Sequence, residues 1–187
     1  MKYYLRMLLV WWRARRAPAR EMKDIGRIPF RVGIRDIDVL GHMNNGTFLT
    51  VQDLGRLDWM LRTRTLRAFQ SRGWNAVVAR QTIAYRRSLD FGVDYILETR
   101  FLGVDERNFY MEHRFVSGGQ LCAQAFVVGR FISKNGVVPM AEMYAAIPEL
   151  AEFHDLVPAW VLDWGEAARL PSAGSDVPSV WSNEPRA

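Results

Sequence analysis

The sequence predicts an α+β domain in which one long helix lies on a largely antiparallel sheet. Three observations predict it. Apolar residues recur at helical spacing through residues 46–69. After Gly73 the apolar period changes from 3.6 to 2. Glycine-rich turn signals then cut the chain into short alternating runs. The 187 residues suffice for one domain with extensions at both ends. The expected organisation is a basic, hydrophobic segment over 1–20, a domain over 21–147 and a C-terminal extension over 148–187.

Residues 27–35 (R-I-P-F-R-V-G-I-R) read as a first strand, and a polar loop follows over 36–45. Phe48, Val51, Leu54, Leu57 and Leu61 are spaced by three and four, which puts them on one helical face. Asn45 is the expected N-cap, because its side-chain oxygen can accept from the free amides of the first turn. Asp58 and Arg62, four residues apart, suit an exposed flank. Gly73 stops the helix. Alternation then marks strands around 77–86, 97–101 and 109–115, and the longer apolar run 121–132 reads as a central strand. The expected connection is a four-stranded meander. Pro139 opens a short helix over 141–146, residues 148–164 hold another, and 171–187 form a loose tail.

Composition removes several functions. Hydrophobic residues make up 49% and charged residues 24%, a globular balance rather than a disordered one. The single cysteine, Cys122, excludes an internal disulfide and a cysteine-based zinc site. His42, His113 and His154 form no H-x-x-x-H pair, so neither a metal nor a cofactor is expected. No run reaches the ~18 apolar residues that a membrane-spanning helix needs. The net charge of +5 is uneven: residues 1–20 carry +6 and no acid, leaving 19 basic against 20 acidic side chains elsewhere. The basicity is therefore terminal, and no nucleic-acid partner is expected.

The first twenty residues place Leu8, Leu9, Val10, Trp11 and Trp12 beside Arg13, Arg15 and Arg16. Ala17-Pro18-Ala19 has the form of a cleavage box. However, the uninterrupted apolar run 7–12 is six residues long and three arginines separate it from the box, so a signal peptide is discounted. Two readings remain: a helix packed on its own domain or a partner subunit, or a reversible interfacial anchor. The expected location is the cytoplasm, with peripheral contact at the inner membrane face under the second reading.

Chemistry concentrates in D-I-D-V-L-G-H-M-N-N-G-T-F-L, residues 36–49. Two carboxylates, a histidine and two asparagines precede a helix start. A helix N-terminus offers unpaired amides and partial positive charge, which would polarise a carbonyl and stabilise an oxyanion. A carboxylate beside it could attack the carbon or take a proton from water. That arrangement suits acyl transfer, and no G-x-S-x-G or Walker motif competes with it. Each residue also has a structural reading: Asp36 or Asp38 could close an Asx-turn, and Asn44 and Asn45 could serve turn and cap alone. His113 is in register with Phe109, Met111 and Phe115, and reads as a sheet-packing histidine.

The motif D-x-D-x-x-G-H-x-N-N before a long helix, followed by D-L-G-R, resembles the hotdog-fold thioesterases of the 4-hydroxybenzoyl-CoA thioesterase-like superfamily. The stretch T-I-A-Y-R-R-S-L-D-F-G through E-H-R-F extends the resemblance over about residues 27–133, and the nearest group is similar to thioesterase superfamily member 6. The resemblance implies a hotdog fold, an acyl-CoA substrate and a homodimer or homotetramer with sites at subunit interfaces. It places the catalytic acid on Asp38, as nucleophile or general base, with His42 and Asn44 shaping the loop. Some members use an acid within the helix, which makes Asp53 a second candidate. Asn45 and Gly46 would meet the substrate at the helix start. The sequence also offers Arg86 and Arg87 near a strand end, either as ligands for CoA phosphates or as a solvated strand end. Leu40 occupies the place of an asparagine in the related plant acyl-carrier-protein enzymes. Two rivals are a non-catalytic acyl-CoA or lipid-binding hotdog protein and an enoyl-thioester hydratase or dehydratase. The Asp38–His42 spacing and Leu40 argue against the latter.

Overall fold

A computed structural model describes residues 2–171 and 174–175. The tail expected over 171–187 lies almost wholly outside the described residues. Helix α1 (Lys2–Arg16) is followed by strand β1 (Gly26–Arg31), helix α2 (Asn45–Arg62) and helix α3 (Thr65–Gln70). Strands β2 (Asn75–Tyr85), β3 (Asp94–Val104), β4 (Phe109–Ser117), β5 (Gln120–Ser133) and the two-residue β6 (Gly136–Val137) come next. Helix α4 (Met140–Ala146), a 3-10 turn (Pro148–Phe153) and helix α5 (Ala159–Ala167) close the described chain.

The expected layout of one helix on an antiparallel sheet is present, but the connection is not a simple meander. The strand order is β1-β3-β4-β5-β2, with β6 returning on β5. Among the long strands, β3, β4 and β5 form consecutive hairpins. β2 crosses to the far edge and pairs with β5, from Asn75 opposite Ile132 to Tyr85 opposite Ala123. Alternation marks a strand and its faces, but does not say which neighbour it takes.

Three local details also differ from the expectation, each for a physical reason. The first strand stops at Arg31, where the chain turns into the loop before α2. The long helix breaks at Thr63 and Arg64, with Arg64 in the left-handed region at φ 64°, so α3 leaves in a new direction. Asp58 is buried rather than flanking. It pairs with Arg20 at 3.3 Å, and burial pushes its carboxyl above the usual range despite the opposing charges of Arg20 and Arg62.

Helix α2 lies on the inner face of the sheet with Phe48, Val51, Leu54 and Trp59 buried. At Gly55 a Cβ would come 2.3 Å from Thr99 Oγ1 and 2.8 Å from Leu97 Cδ2. A glycine there lets the helix backbone sit directly on β3. The C-terminal extension joins this packing: Leu150 clusters with Met22, Trp59, Phe101, Phe131, Met143 and Ile147. The opposite face is covered in part by α5, whose Val161 packs on Leu102, Tyr110 and Val128. Helix α1 packs across α2 through Val10 against Ile28 and Leu54.

Candidate active site

The loop before α2 is closed by short backbone bonds. The Asp38 amide donates to the His42 carbonyl at 2.8 Å, and the Asn44 amide donates to the Asp36 carbonyl at 2.8 Å. The Met43 amide donates to Leu89, which ties the loop to the turn before β3. The two aspartates of the motif have different roles. Asp36 is buried, accepts from the Gly33 amide at 2.8 Å and takes a two-pronged contact from Arg6, whose Nη2 lies 2.7 Å away. It anchors α1 to the loop. Asp38 is half-exposed, and its Oδ1 accepts from the Leu40 amide at 2.8 Å in an Asx-turn.

The helix start is capped by Asn44, not Asn45. The Asn44 side chain accepts from the Gly46 amide at 2.8 Å and its carbonyl accepts from Thr47. Asn45 is already the first helical residue and is exposed. Both asparagines satisfy the cap preference, so only the backbone geometry separates them. The Gly46 amide is therefore engaged within the fold. A Cβ at Gly46 would sit 3.1 Å from Asn44 Oδ1, crowding the cap.

His42 is exposed, with its Nε2 3.7 Å from Asp90 Oδ1, and the two residues form an isolated backbone bridge. Arg86 and Arg87 are exposed, and both amides donate to the Cys122 carbonyl. Tyr85, at the end of β2, packs edge-on against Phe48 with ring centres 5.2 Å apart. That contact brings the two arginines to the same end of the molecule as the helix start. Val39, Leu40 and Phe91 stand exposed around this end.

A second arrangement lies under the middle of α2. An apolar cavity of about 280 Å³ is walled by Trp59, Phe69, Phe101, Phe109, Met111 and Phe131. Its charged lining is Asp53 and Arg56, and no residue of the 36–45 loop lines it. Asp53 is half-exposed and forms a close ion pair with Arg56, whose own side chain is buried. Burial lowers the Arg56 pKa, against the pull of Asp53. Arg56 Nη1 lies 3.1 Å from His113 Nε2, and His113 Nδ1 lies 3.0 Å from Thr99 Oγ1. A guanidinium can only donate, so Nε2 accepts and Nδ1 carries the hydrogen that Thr99 receives. His113 is wholly buried, and burial followed by the Arg56 charge holds its pKa well below the ordinary value.

The sheet-packing role expected of His113 thus includes support for Arg56, a residue that sequence reasoning passed over. An arginine on a helix gives no sign of burial; its spacing of three from Asp53 was the available signal. Gln52 beside them is completely buried, and neither of its amide atoms has a hydrogen-bond partner among the described residues. Among the described residues no group of His, Cys, Asp or Glu has the geometry of a metal site.

The family model described as the thioesterase-like superfamily matches residues 32–164. The chain belongs to the thioesterase-like superfamily. The match to the superfamily contains the loop, α2 and β2 through β5, and hence every candidate site residue, whereas α1 and β1 precede it. Protein THEM6 of Xenopus laevis is 37% identical over 118 residues, which cover 62% of this chain and 56% of that relative. The chain thus matches little more than half the length of this curated relative. YbaW of Escherichia coli superposes with a TM-score of 0.61 at 17% identity, covering 66% of this chain and 97% of that one. A 1,4-dihydroxy-2-naphthoyl-CoA thioesterase of Synechocystis gives a TM-score of 0.58 at 16% identity, covering 68% and 98%. The architecture these structures share with the chain is the hotdog fold.

Proposed function

We propose that the protein hydrolyses acyl thioesters, with an acyl-CoA as substrate. The observation that carries this reading, beside membership of the superfamily, is the apolar cavity bounded by an ion pair on α2. An engineered cavity of ~150 Å³ accepts benzene. A space of about 280 Å³ has room for an aromatic acyl group or a medium aliphatic chain.

Asp38 acts as general base or nucleophile. As base, it takes a proton from water while the water oxygen bonds to the thioester carbon. The carbon–sulfur bond then breaks, and the proton passes to the departing CoA thiolate. The amide of Asn45 at the helix start, and that of Gly46 if the substrate oxygen displaces Asn44, would polarise the carbonyl. His42 and Asn44 hold the loop in shape. Arg86 and Arg87, exposed at the same end, suit the phosphates of CoA.

Asp53 is a second reading for the acid, favoured by one observation: it lines the cavity and Asp38 does not. The first turn of α2 and Asp53 are separated by about 12 Å along the helix axis.

A homodimer completes the site in this reading. β2 is an eleven-residue edge strand with no fully buried residue, and its Ala76, Val77 and Val78 line the cavity. A long unprotected edge is a template for pairing with a second copy. Two dimers would make the homotetramer.

The test is turnover of the full chain on a panel of aliphatic and aromatic acyl-CoAs, with light scattering on the same sample. Hydrolysis at about 10⁴ M⁻¹s⁻¹ or faster and a dimer or larger species are expected. Tight binding without hydrolysis would instead make the protein an acyl-CoA carrier. A monomer would remove the shared site.

A further inference from the structure

Helix α1 has two faces with different fates. One packs on the domain: Val10 and Ala14 are buried, and Arg6 reaches the buried Asp36. The other carries Leu5, Leu8, Leu9 and Trp12, each between 56% and 59% exposed, with Tyr4 beside them. Positions 5, 8, 9 and 12 form one continuous helical stripe. Nothing in the described chain covers it.

Beside this stripe runs a basic groove. Its walls include Trp11 and Arg15 of α1 and Arg62, Arg64 and Arg67 from α2, the turn after it and α3. No carboxylate lines the groove, and α1 contains no acid. Arg64 and Arg67 are exposed, whereas Arg62 is turned partly inward by its 3.1 Å bond to the Pro18 carbonyl. Arg15 and Arg16 lie over the rings of Trp11 and Trp12, at 4.2 and 3.6 Å from the ring centres. Arg13 adds a further cation to the last turn of α1. The fold therefore adds three arginines, distant in sequence, to the three that end α1.

We propose that this face of α1 with the α2–α3 groove docks on an anionic phospholipid surface. Leucine and tryptophan side chains enter the headgroup boundary, and the arginines take phosphate groups. A second copy of the chain is a poor occupant, because a two-fold contact would set six arginines against six. Nucleic acid would use the cations and leave the apolar stripe without a role. The fifteen residues of α1 span about 22 Å, short of the ~30 Å hydrocarbon core, so the helix lies in the interface plane. Consistently, no helix of the described chain is long and apolar enough to cross a membrane. The inward ion pair to Asp36 ties the docked helix to the loop that carries Asp38.

The test is co-sedimentation of the full chain with phosphatidylcholine vesicles, with and without phosphatidylglycerol. Binding should require the anionic lipid and weaken with salt. Arg64→Gln with Arg67→Gln should lower partitioning roughly 25-fold, at ~5-fold per cation. Leu8→Gln with Leu9→Gln should lower it at least ~10-fold. Both pairs are exposed, so circular dichroism and thermal midpoint should match the wild type. Wild-type partitioning by either double variant, or equal binding to neutral vesicles, overturns the proposal. So does thermal stabilisation by inorganic phosphate or CoA that is lost in Arg64→Gln/Arg67→Gln while vesicles are ignored, since the groove would then serve a soluble ligand. The readout is independent of thioester turnover, so its failure leaves the proposed reaction untouched.

Discussion

The loop that starts α2 and the cavity beneath its middle each present a carboxylate, held by opposite means. Asp38 is fixed by its near neighbours: the Leu40 amide two residues on, and the backbone bond to His42. Asp53 is held by a chain of side chains through Arg56 and His113 to Thr99, drawn from a helix and two strands. The first arrangement sets its half-exposed acid in the loop that leads into the start of α2. The second supplies an apolar chamber and a charge at its edge. The proposed reaction needs both, a polarised carbonyl and a place for the acyl group, and in the proposed site they fall at successive levels of one helix.

The sharpest way to break the comparison is to remove each acid in turn. Asp38→Asn should keep the fold and lower kcat by ~10²–10⁴-fold on the best acyl-CoA, the scale of a positioned acid-base group. Asp53→Asn should instead act mainly on KM, by loosening Arg56 at the cavity. Steady-state kinetics on both variants decide the matter. A collapse of kcat in Asp53→Asn with near-normal Asp38→Asn would move the catalytic acid into the helix.

The next effect separates the two aspartates of the motif. Asp36 is buried against Arg6 and the Gly33 amide, so its deletion strands a guanidinium and a donor. Asp36→Ala should cost about 3 kcal/mol in urea unfolding, the lower end for a broken buried pair because Arg6 keeps some solvent. Asp38→Ala should cost well under half of that. Equal losses would mean that both aspartates are structural.

Those two residues also show how far the sequence could be read. Period and turn signals located α2, β3, β4 and β5, because amphipathicity is a local property. The 36–49 stretch was legible as a candidate site from its composition alone, and its turn and cap bonds join residues a few positions apart. What depends on distant partners was not legible. Nothing local tells Asp36 from Asp38, since the difference is an arginine thirty positions earlier. Asp58 looked exposed beside Arg62, and Arg20 buries it. The cap falls on Asn44, one residue before the expected Asn45, within the freedom that two adjacent asparagines allow. The place of β2 beside β5, and with it the cavity and the open edge, follows from pairing across some fifty residues.

A smaller change sharpens the division of labour. Ala76 lines the cavity from β2 and is only partly buried. Ala76→Phe should shrink the chamber without touching the loop. The expected result is a ~10-fold loss in kcat/KM for bulky or long acyl groups, with short-chain turnover retained, the discrimination that one or two methylenes provide. Uniform loss across the panel would detach the cavity from acyl recognition.

The last effect tests the buried chain alone. His113 is wholly buried and neutral, with its pKa held well below the ordinary value by burial and by Arg56. In the unfolded chain it titrates near ~6.5. Between that value and the lower folded one, the unfolded state binds the extra proton, so stability falls as pH falls. The slope reaches about 1.4 kcal/mol per pH unit, beginning near pH ~6.5 and ending only at the folded pKa. Urea unfolding of the wild type from pH 7 to pH 5 should show this loss. His113→Gln can still accept from Arg56 through its amide oxygen but cannot titrate. Its stability should be lower at pH 7 and nearly flat over the same range. An identical slope in wild type and variant would assign the pH dependence to other groups, and would leave the Arg56–His113–Thr99 chain a packing feature with no part in the acid response.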